Sequence, residues 1–305
     1  MIREVNIKWI KWIDCVWLKD FEINNVLKKY PEIHELDIEA CLEWNQKSRI
    51  DVYEDYNFIV YDFPKYNKKT QIYDLNEFNI FLWKDFLITF RKYPLKHIDK
   101  IFENYNNLKN SKNEDEIKFT SWFILYEITQ AMLEKMFNVI TNVTKDIKSI
   151  EKEVFEWAKS YLVKDIMVKK RNILILKNMF KPQIIVLKQL EYTINKIYDW
   201  EMEVYFEDLE DKMEQIVNWL TNLAEHIDVV EDAFKSIIDI RTNTVMKVLT
   251  IFSALMLPLT LITSFYWMNV PLPFQNSPTA VYTMLIVTII IMLITYIVAR
   301  KKDVF

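Results

Sequence analysis

The residues best suited to chemistry form a stripe that recurs every three or four positions from Asn243 into the uncharged stretch beginning at Val248, and amide and hydroxyl side chains dominate it. In lipid, such polar side chains turn toward protein or water. Two interpretations are open: the hydroxyls bond neighbouring helices or their own backbone, or they line a pore with apolar rings that gate by excluding water, at Met246 and Leu257. The candidate pore-lining residues are Asn243, Met246, Thr250, Ser253, Leu257, Thr260, Ser264 and Trp267.

A further amide, Asn269, closes the stretch SFYWMN at the end of the same apolar run. Contact with lipid cannot explain an amide there, because its polar atoms would lose their hydrogen bonds to water. We therefore expect Asn269 to face water, protein or an ion.

Acidic side chains are concentrated just upstream of the uncharged stretch. Eleven carboxylates lie between Glu203 and Asp239, and within that segment only Lys212 and Lys235 oppose them. A charge run of this kind is usually a solvated helix face. If several copies of the helix are bundled, the carboxylates repel one another instead, and a divalent cation bound between subunits would relieve that repulsion.

Catalysis has no support in the residue types. The 305 residues include no glycine, which excludes a Gly-rich phosphate loop and a dinucleotide fingerprint. Cys15 and Cys41 lack C-x-x-C spacing and the three histidines are scattered, so a tight zinc site is not expected. The net charge of −4 gives no reason to expect nucleic acid as a partner. We therefore expect a protein that is not an enzyme.

Two uncharged segments of 21 residues each, 248–268 and 279–299, are long enough to cross a membrane as helices. The loop between them, 269–278, is short and uncharged, whereas a basic tail, 300–305, follows the second segment. Positive residues mark the cytoplasmic side, so we expect a multi-pass membrane protein with both termini cytoplasmic. Two spans cannot enclose a water-filled path, so a conducting protein must be an oligomer around a symmetry axis.

The segment before the first span, 206–247, is expected to be a stalk helix. Apolar residues fall on it at alternating intervals of three and four, a heptad seam that packs either within the subunit's own bundle or between subunits. The seam consists of Phe206, Leu209, Met213, Ile216, Leu220, Leu223, Ile227, Val230, Phe234 and Ile237.

Upstream of the stalk, the sequence predicts two further regions. Residues 1–110 alternate short β-rich runs with helical stretches, which predicts an α/β domain. Residues 111–205 begin with a polar, breaker-rich linker and continue as long helices with lysine-rich faces, which include Lys164, Lys169, Lys170, Lys177, Lys181 and Lys188.

Several stretches resemble the CorA family of divalent-cation channels. TNTVMKVLTIFSALMLPLTLITSFYWMN is similar to that family's first span, the tail ARKKDVF follows the second span as expected, and LKNMFKPQIIVLKQLEYTI leads into a long helix. The resemblance implies a homopentamer in the inner or plasma membrane. Each subunit would have a cytosolic α/β domain, long helices and two spans, with the first spans around the pore.

The resemblance also implies roles for particular residues. Asn269, with Met268 and Trp267 in the same signature, would form an outer ring that holds a hydrated cation by its amide oxygens. Asn243 would be an inner polar ring and Leu257 an apolar constriction. Cytosolic Mg²⁺ would bridge Asp208 and neighbouring acids such as Asp211 as negative feedback, with a second carboxylate from the region 62–67.

The sequence departs from the family pattern at two places. Trp267 replaces the signature glycine, and the outer loop VPLPFQNSP has no acidic residue to concentrate cations. Mg²⁺ is the expected transported and regulatory ion, with Co²⁺, Ni²⁺ or Zn²⁺ open. A proton-coupled Zn²⁺ transporter of the ZntB type is the first alternative. A non-conducting, membrane-anchored sensor or scaffold, its mouth plugged by Trp267, is the second.

Overall fold

The computed structural model describes residues 1–108, 120–197, 202–268 and 278–301. The chain divides into two units, Met1–Glu231 and Asp232–Phe305. Six strands and seven helices occur in the described residues: β1 (Ile2–Ile7), β2 (Ile10–Val16), α1 (Asp20–Leu27), α2 (Glu35–Glu43), β3 (Arg49–Val52), β4 (Asn57–Asn67), β5 (Ile72–Leu82), β6 (Phe86–Arg91), α3 (Lys96–Leu108), α4 (Ser121–Glu156), α5 (Leu162–Ile197), α6 (Glu203–Tyr266) and α7 (Pro278–Lys301).

The first unit contains one mixed sheet with the strand order β1-β2-β6-β5-β4-β3. β2 and β6 are parallel, and the other neighbours are antiparallel. The parallel pair needs a long connection, which the chain provides by passing through α1, α2, β3, β4 and β5. The α/β character of the amino-terminal region is therefore confirmed.

Helices cover both faces of this sheet, so its central strands are apolar almost throughout. On one face, Phe58 and Phe81 pack with Ile23 and Cys41 from the α1 and α2 layer. On the other face, the Trp12 ring lies edge-on to Phe102 of α3, with the centroids 4.9 Å apart. Two faces of buried aromatic and aliphatic side chains make this sheet the rigid part of the first unit.

A buried ion-pair network ties the edge of the sheet to α3. The Asp14 carboxylate accepts hydrogen bonds from Arg91, with Nη2 at 2.8 Å from Oδ2, and also from Arg3. Asp99 of α3 accepts from both arginines, each at 2.7 Å. Burial raises the pKa of Asp14, but the hydrogen bonds and charges of Arg91 and Arg3 outweigh burial and hold that pKa below its usual value.

The three long helices α4, α5 and α6 pack side by side next to the sheet. Nine of the ten seam residues of α6, from Phe206 to Phe234, are buried, and only Ile237 is partly exposed. Phe206 contacts Trp122 of α4, and Trp219 contacts Phe137 of the same helix. The part of the seam in the first unit is therefore used within the subunit's own bundle.

The second unit contains the end of α6 and all of α7. Among the described residues, α6 is long and apolar enough to cross a membrane, and Val281–Ile297 of α7 forms a shorter apolar segment. Pro258 lies inside α6 without ending it, and in a membrane helix the carbonyl that it frees can find other partners.

Candidate ion pathway and regulatory acids

The candidate pore-lining residues from Asn243 to Ser264 lie on α6 and form what we call the polar stripe. All of them are exposed in the single chain. The partly shielded residues of the same segment form a different stripe, in which successive members are three or four positions apart except for one adjacent pair. At 100° per residue, the centres of the two stripes lie about 140° apart around the helix. The shielded stripe consists of Ile251, Ala254, Leu255, Pro258, Ile262 and Tyr266.

The shielded stripe of α6 is the side that meets α7. The Tyr266 hydroxyl donates to Met284 Sδ at 3.4 Å, which brings the two helices together. On α7, Thr288, Met292 and Thr295 are shielded at intervals of four and three, and Thr288 is buried. Helix α7 therefore covers the face of α6 opposite the polar stripe.

The threonine hydroxyls of the stripe donate to their own helix. Thr250 Oγ1 lies 2.8 Å from the Met246 carbonyl oxygen, and Thr260 Oγ1 lies 2.9 Å from that of Met256. These bonds use the hydroxyl proton and leave the oxygen lone pairs free to accept. The outward surface of these two threonines therefore offers hydrogen-bond acceptors, which suit the water molecules around a hydrated cation.

The inner end of the stripe borders a shallow hollow of about 520 Å³. Asn243, Met246 and Thr250 line it together with Lys247. The structure thus brings three of the predicted pore residues to one surface, beside a positive charge.

At the outer end, α6 finishes at Tyr266, and the chain continues as a turn. The Trp267 backbone N–H donates to the Thr263 and Ser264 carbonyl oxygens, at 3.1 and 3.2 Å. The Trp267 side chain is 91% exposed, and Met268 is exposed too. Asn269, the residue predicted to form the outer ring, lies outside the described residues, as does the loop that follows it.

Asp208 is partly exposed and forms an ion pair with Lys212, one turn further along α6. Asp211 is exposed. Within the described residues, no group of three or more acidic, histidine or cysteine side chains could hold a metal ion. The first unit of one chain thus presents Asp208 and Asp211 as oxygen donors without completing a site.

Two lysines of α5 pair with four carboxylates of α6, in addition to Lys212 and Lys235 of α6 itself. Lys188 Nζ lies 2.9 Å from Glu210 and 3.3 Å from Glu214. Lys170 Nζ lies 2.7 Å from Asp228 and 2.8 Å from Glu231. Hydrogen bonds to Asp228 and Glu231 raise the pKa of Lys170, and those to Glu210 and Glu214 raise the pKa of Lys188. Both lysines belong to the lysine-rich segment that the sequence predicts. The sequence does not show which of its lysines face the acids of α6, because that depends on the register in which the two helices pack.

Asp62, in the region expected to supply a second regulatory carboxylate, is only 7% exposed. Its Oδ2 accepts from Ser48 Oγ at 3.0 Å, and Glu77 is its cross-strand partner. Burial, with a smaller contribution from the Glu77 charge, raises the pKa of Asp62 to about 6, although the Ser48 hydrogen bond opposes the shift. A side chain held in this way serves the interior of the sheet rather than a surface between subunits.

In the described residues, an α/β domain is followed by three long helices, and the last of these, α6, is long and apolar enough to cross a membrane. The model of the CorA-like Mg²⁺ transporter protein family matches residues 8–301, and the chain belongs to this family. Because it is a family of transporters, the prediction that the chain is not an enzyme is confirmed.

Curated relatives agree with this assignment. The chain is 26% identical over 261 residues to the cobalt/magnesium transport protein CorA of Thermotoga maritima, covering 85% of this chain and 72% of that protein. For the protein of the same name from Methanocaldococcus jannaschii, the identity is 24% over 295 residues, covering 95% and 90%.

The fold is also similar to solved structures. The complete CorA magnesium transporter of M. jannaschii has a TM-score of 0.81 at 21% identity, over 99% of this chain and 94% of that one. The ZntB cytoplasmic domain of Vibrio parahaemolyticus has a TM-score of 0.62 at 13% identity, over 77% and 90%. At these identities the structures support the fold alone.

Proposed function

We propose that the chain is the subunit of a homopentameric channel for divalent cations, with Mg²⁺ as the main ion and Co²⁺ and Ni²⁺ as others. It would lie in the inner or plasma membrane, cross it twice and keep both termini in the cytoplasm. Membership in a Mg²⁺ transporter family supports this proposal, as do the names of the cobalt/magnesium transport relatives.

The observation that carries the proposal is the exposed polar stripe of α6 on the side away from α7. In a membrane, amide and hydroxyl groups on a lipid-facing surface are unfavourable, so this stripe needs water or protein. Its own α7 shields the other face. Copies of α6 arranged around an axis would turn their stripes toward a common, water-filled path.

The stripe's chemistry fits a hydrated cation. Mg²⁺ loses its water reluctantly, so neutral acceptor oxygens that bond to the hydration shell suit it better than a dedicated cage. Asn243, Thr250, Ser253, Thr260 and Ser264 would supply these acceptors. The exposed apolar side chains of Met246 and Leu257 would form the constrictions that stop conduction by excluding water.

At the outer mouth, we place Asn269 as the ring that selects the hydrated ion. Met268 and Trp267 would stand beside it. The Trp267 indole is exposed, and two orientations are open in the assembled channel: one along the lipid interface and one across the mouth of the pore. A glycine at this position would leave more space around the axis.

Regulation would act through Asp208 and Asp211. Cytosolic Mg²⁺ bound by these carboxylates across a subunit boundary would offset their mutual repulsion and favour a closed packing. Since Asp208 is already paired with Lys212, the metal would have to displace that lysine. The site would therefore respond to high Mg²⁺ concentrations.

The test is ion flux into vesicles that contain the purified protein. We expect Mg²⁺ entry driven by an imposed inside-negative potential, reduced by competing Co²⁺ or Ni²⁺. Zn²⁺ entry that follows a pH gradient and ignores voltage would instead indicate a proton-coupled zinc transporter. No flux of any of these ions would contradict the channel proposal, and restoration of flux by Trp267→Gly would then show that the indole closes the mouth.

A further inference from the structure

The turn between α4 and α5 presents an exposed apolar surface that the proposed ion pathway does not use. We call residues 155–167 the hairpin tip. Met167 is 65% exposed and Trp157 is 59% exposed, although large apolar side chains of these types are usually buried. The exposed apolar members are Phe155, Trp157, Tyr161, Val163 and Met167.

The hairpin tip is preformed rather than loose. The side chains of Val154, Ala158 and Leu162 are buried and hold the adjoining ends of α4 and α5 together. The Tyr161 hydroxyl donates to Glu153 Oε2 at 2.8 Å, so that side chain has a fixed direction. A rigid apolar surface loses little conformational entropy when it is covered.

The hairpin tip lies at the end of the first unit from which the chain leaves. α5 runs antiparallel to α6, because Lys188 pairs with Glu210 whereas Lys170 pairs with Asp228 and Glu231, the last residue of the unit. The direction along α5 from Lys170 to the hairpin tip is therefore the direction along α6 toward Glu231, where the chain leaves the first unit. Along the chain, the first apolar span begins at Val248.

The chemistry of the hairpin tip matches a lipid headgroup layer. Trp and Tyr prefer the membrane–water interface because one end of each ring is apolar and the other polar. Lys159 and Lys164 are exposed among them, the Lys159 ammonium 5.6 Å from the centroid of the Trp157 ring, whereas Glu156 and Asp165 bring the net charge of the hairpin tip to zero. Anionic headgroups attract lysines held near the surface.

We propose that the hairpin tip rests on the cytoplasmic headgroup layer of the membrane that α6 and α7 cross. It would give each subunit a contact with the bilayer in addition to its spans, made by aromatic rings and assisted by lysine. The inference rests on the proposed function only in that the chain must be inserted in a membrane.

The test places a bimane fluorophore at Ser160→Cys in the full chain, in vesicles of phosphatidylcholine and phosphatidylglycerol. Native Cys15 and Cys41 are buried, and burial raises the pKa of both thiols, so labelling is confined to the new cysteine. We expect strong quenching by a lipid with a nitroxide on its headgroup. A label at Lys84→Cys should not be quenched, because this exposed turn adjoins the opposite end of α4, where Ser121 contacts Trp83.

A third label separates failure of this inference from failure of the proposed function. Ile290→Cys, on the exposed side of α7, should be quenched by a nitroxide in the acyl chains. If position 290 is quenched and position 160 is not, the hairpin tip does not touch lipid and the inference fails alone. If neither position is quenched, the membrane placement fails with it.

Two tryptophan variants connect the quenching to the aromatic surface. Trp157→Ser should remove most of the quenching at position 160, whereas Trp9→Ser, another exposed tryptophan of the same unit, should leave it unchanged. Equal quenching in both variants would overturn the role of the ring. Pyrene excimers between labels at position 160 of different subunits, with no lipid quenching, would assign the hairpin tip to a second copy and contradict the proposal.

Discussion

Carboxylates of the same chemistry have different surroundings in this chain, and those surroundings decide which of them a cation from solution can reach. Asp14 is buried between two arginines and Asp62 is buried with one hydroxyl donor, whereas Asp208 is partly exposed beside a lysine. Only the last arrangement leaves carboxylate oxygens accessible to a cation from solution. A regulatory role for Asp208 and a structural role for Asp62 lead to different predictions.

The first prediction concerns Asp208→Asn. Loss of one carboxylate ligand should raise the internal Mg²⁺ concentration needed to halve the flux by about tenfold, a coupling of roughly 1.4 kcal/mol. Flux into vesicles loaded with graded Mg²⁺ measures it. Glu225→Gln, an exposed acid on the same helix, serves as the control. Equal inhibition of Asp208→Asn and the wild type would remove Asp208 from the mechanism.

The second prediction concerns the pH dependence of stability at Asp62. Its pKa is about 6 in the folded chain and about 4 when unfolded. The folded state therefore binds the proton more tightly, and stability from this group falls as pH rises from 4 to 6. At pH 7 the ionised side chain costs at most about 3 kcal/mol.

Asp62→Asn should relieve that cost, since the amide oxygen can still accept from Ser48. We expect the Tm in detergent to rise by roughly a few degrees at pH 7 and by much less at pH 4. Asp74→Asn, an exposed carboxylate on the neighbouring strand, should show no such difference. A Tm at pH 7 equal to or below that of the wild type would contradict the account of Asp62.

At the scale of elements, the sequence predicts local periodicity well and long-range pairing poorly. The heptad seam and the two apolar segments follow from spacing within one helix, and they reappear in α6 and α7. The parallel contact of β2 with β6 joins strands far apart in sequence, and no local pattern encodes it. The lysine pairs between α5 and α6 were missed for the same reason, because their register depends on how two helices pack.

The lysine pairs make a prediction of their own. Lys188→Met leaves Glu210 and Glu214 without their shared cation, so added Mg²⁺ should raise the Tm of this variant more than that of the wild type. Without Mg²⁺ the change in Tm should be small, because exposed ion pairs contribute little to stability. Lys152→Met, which disturbs an exposed pair on α4, is the control. An identical Mg²⁺ response in all three proteins would show that Lys188 does not limit cation binding to the acidic face.

For the whole molecule, the two sides of α6 lead to assembly. One side is covered by α7, and the other presents acceptor oxygens that the chain leaves exposed. A single copy therefore offers half of a path, and several copies with the stripes facing inward would complete it. A single sequence shows the stripe but not its partner, because the proposed partner is another copy of the same surface.

The claim that the stripe lines a wet path is tested most directly by cysteine accessibility during Mg²⁺ flux. Ser253→Cys and Thr260→Cys lie on the stripe, whereas Leu255→Cys and Ile262→Cys lie on the side that meets α7. We predict that a charged, membrane-impermeant thiol reagent modifies the first pair and blocks flux, and leaves the second pair conducting. Equal modification of both pairs, or an unmodified stripe in a protein that still conducts, would contradict the account.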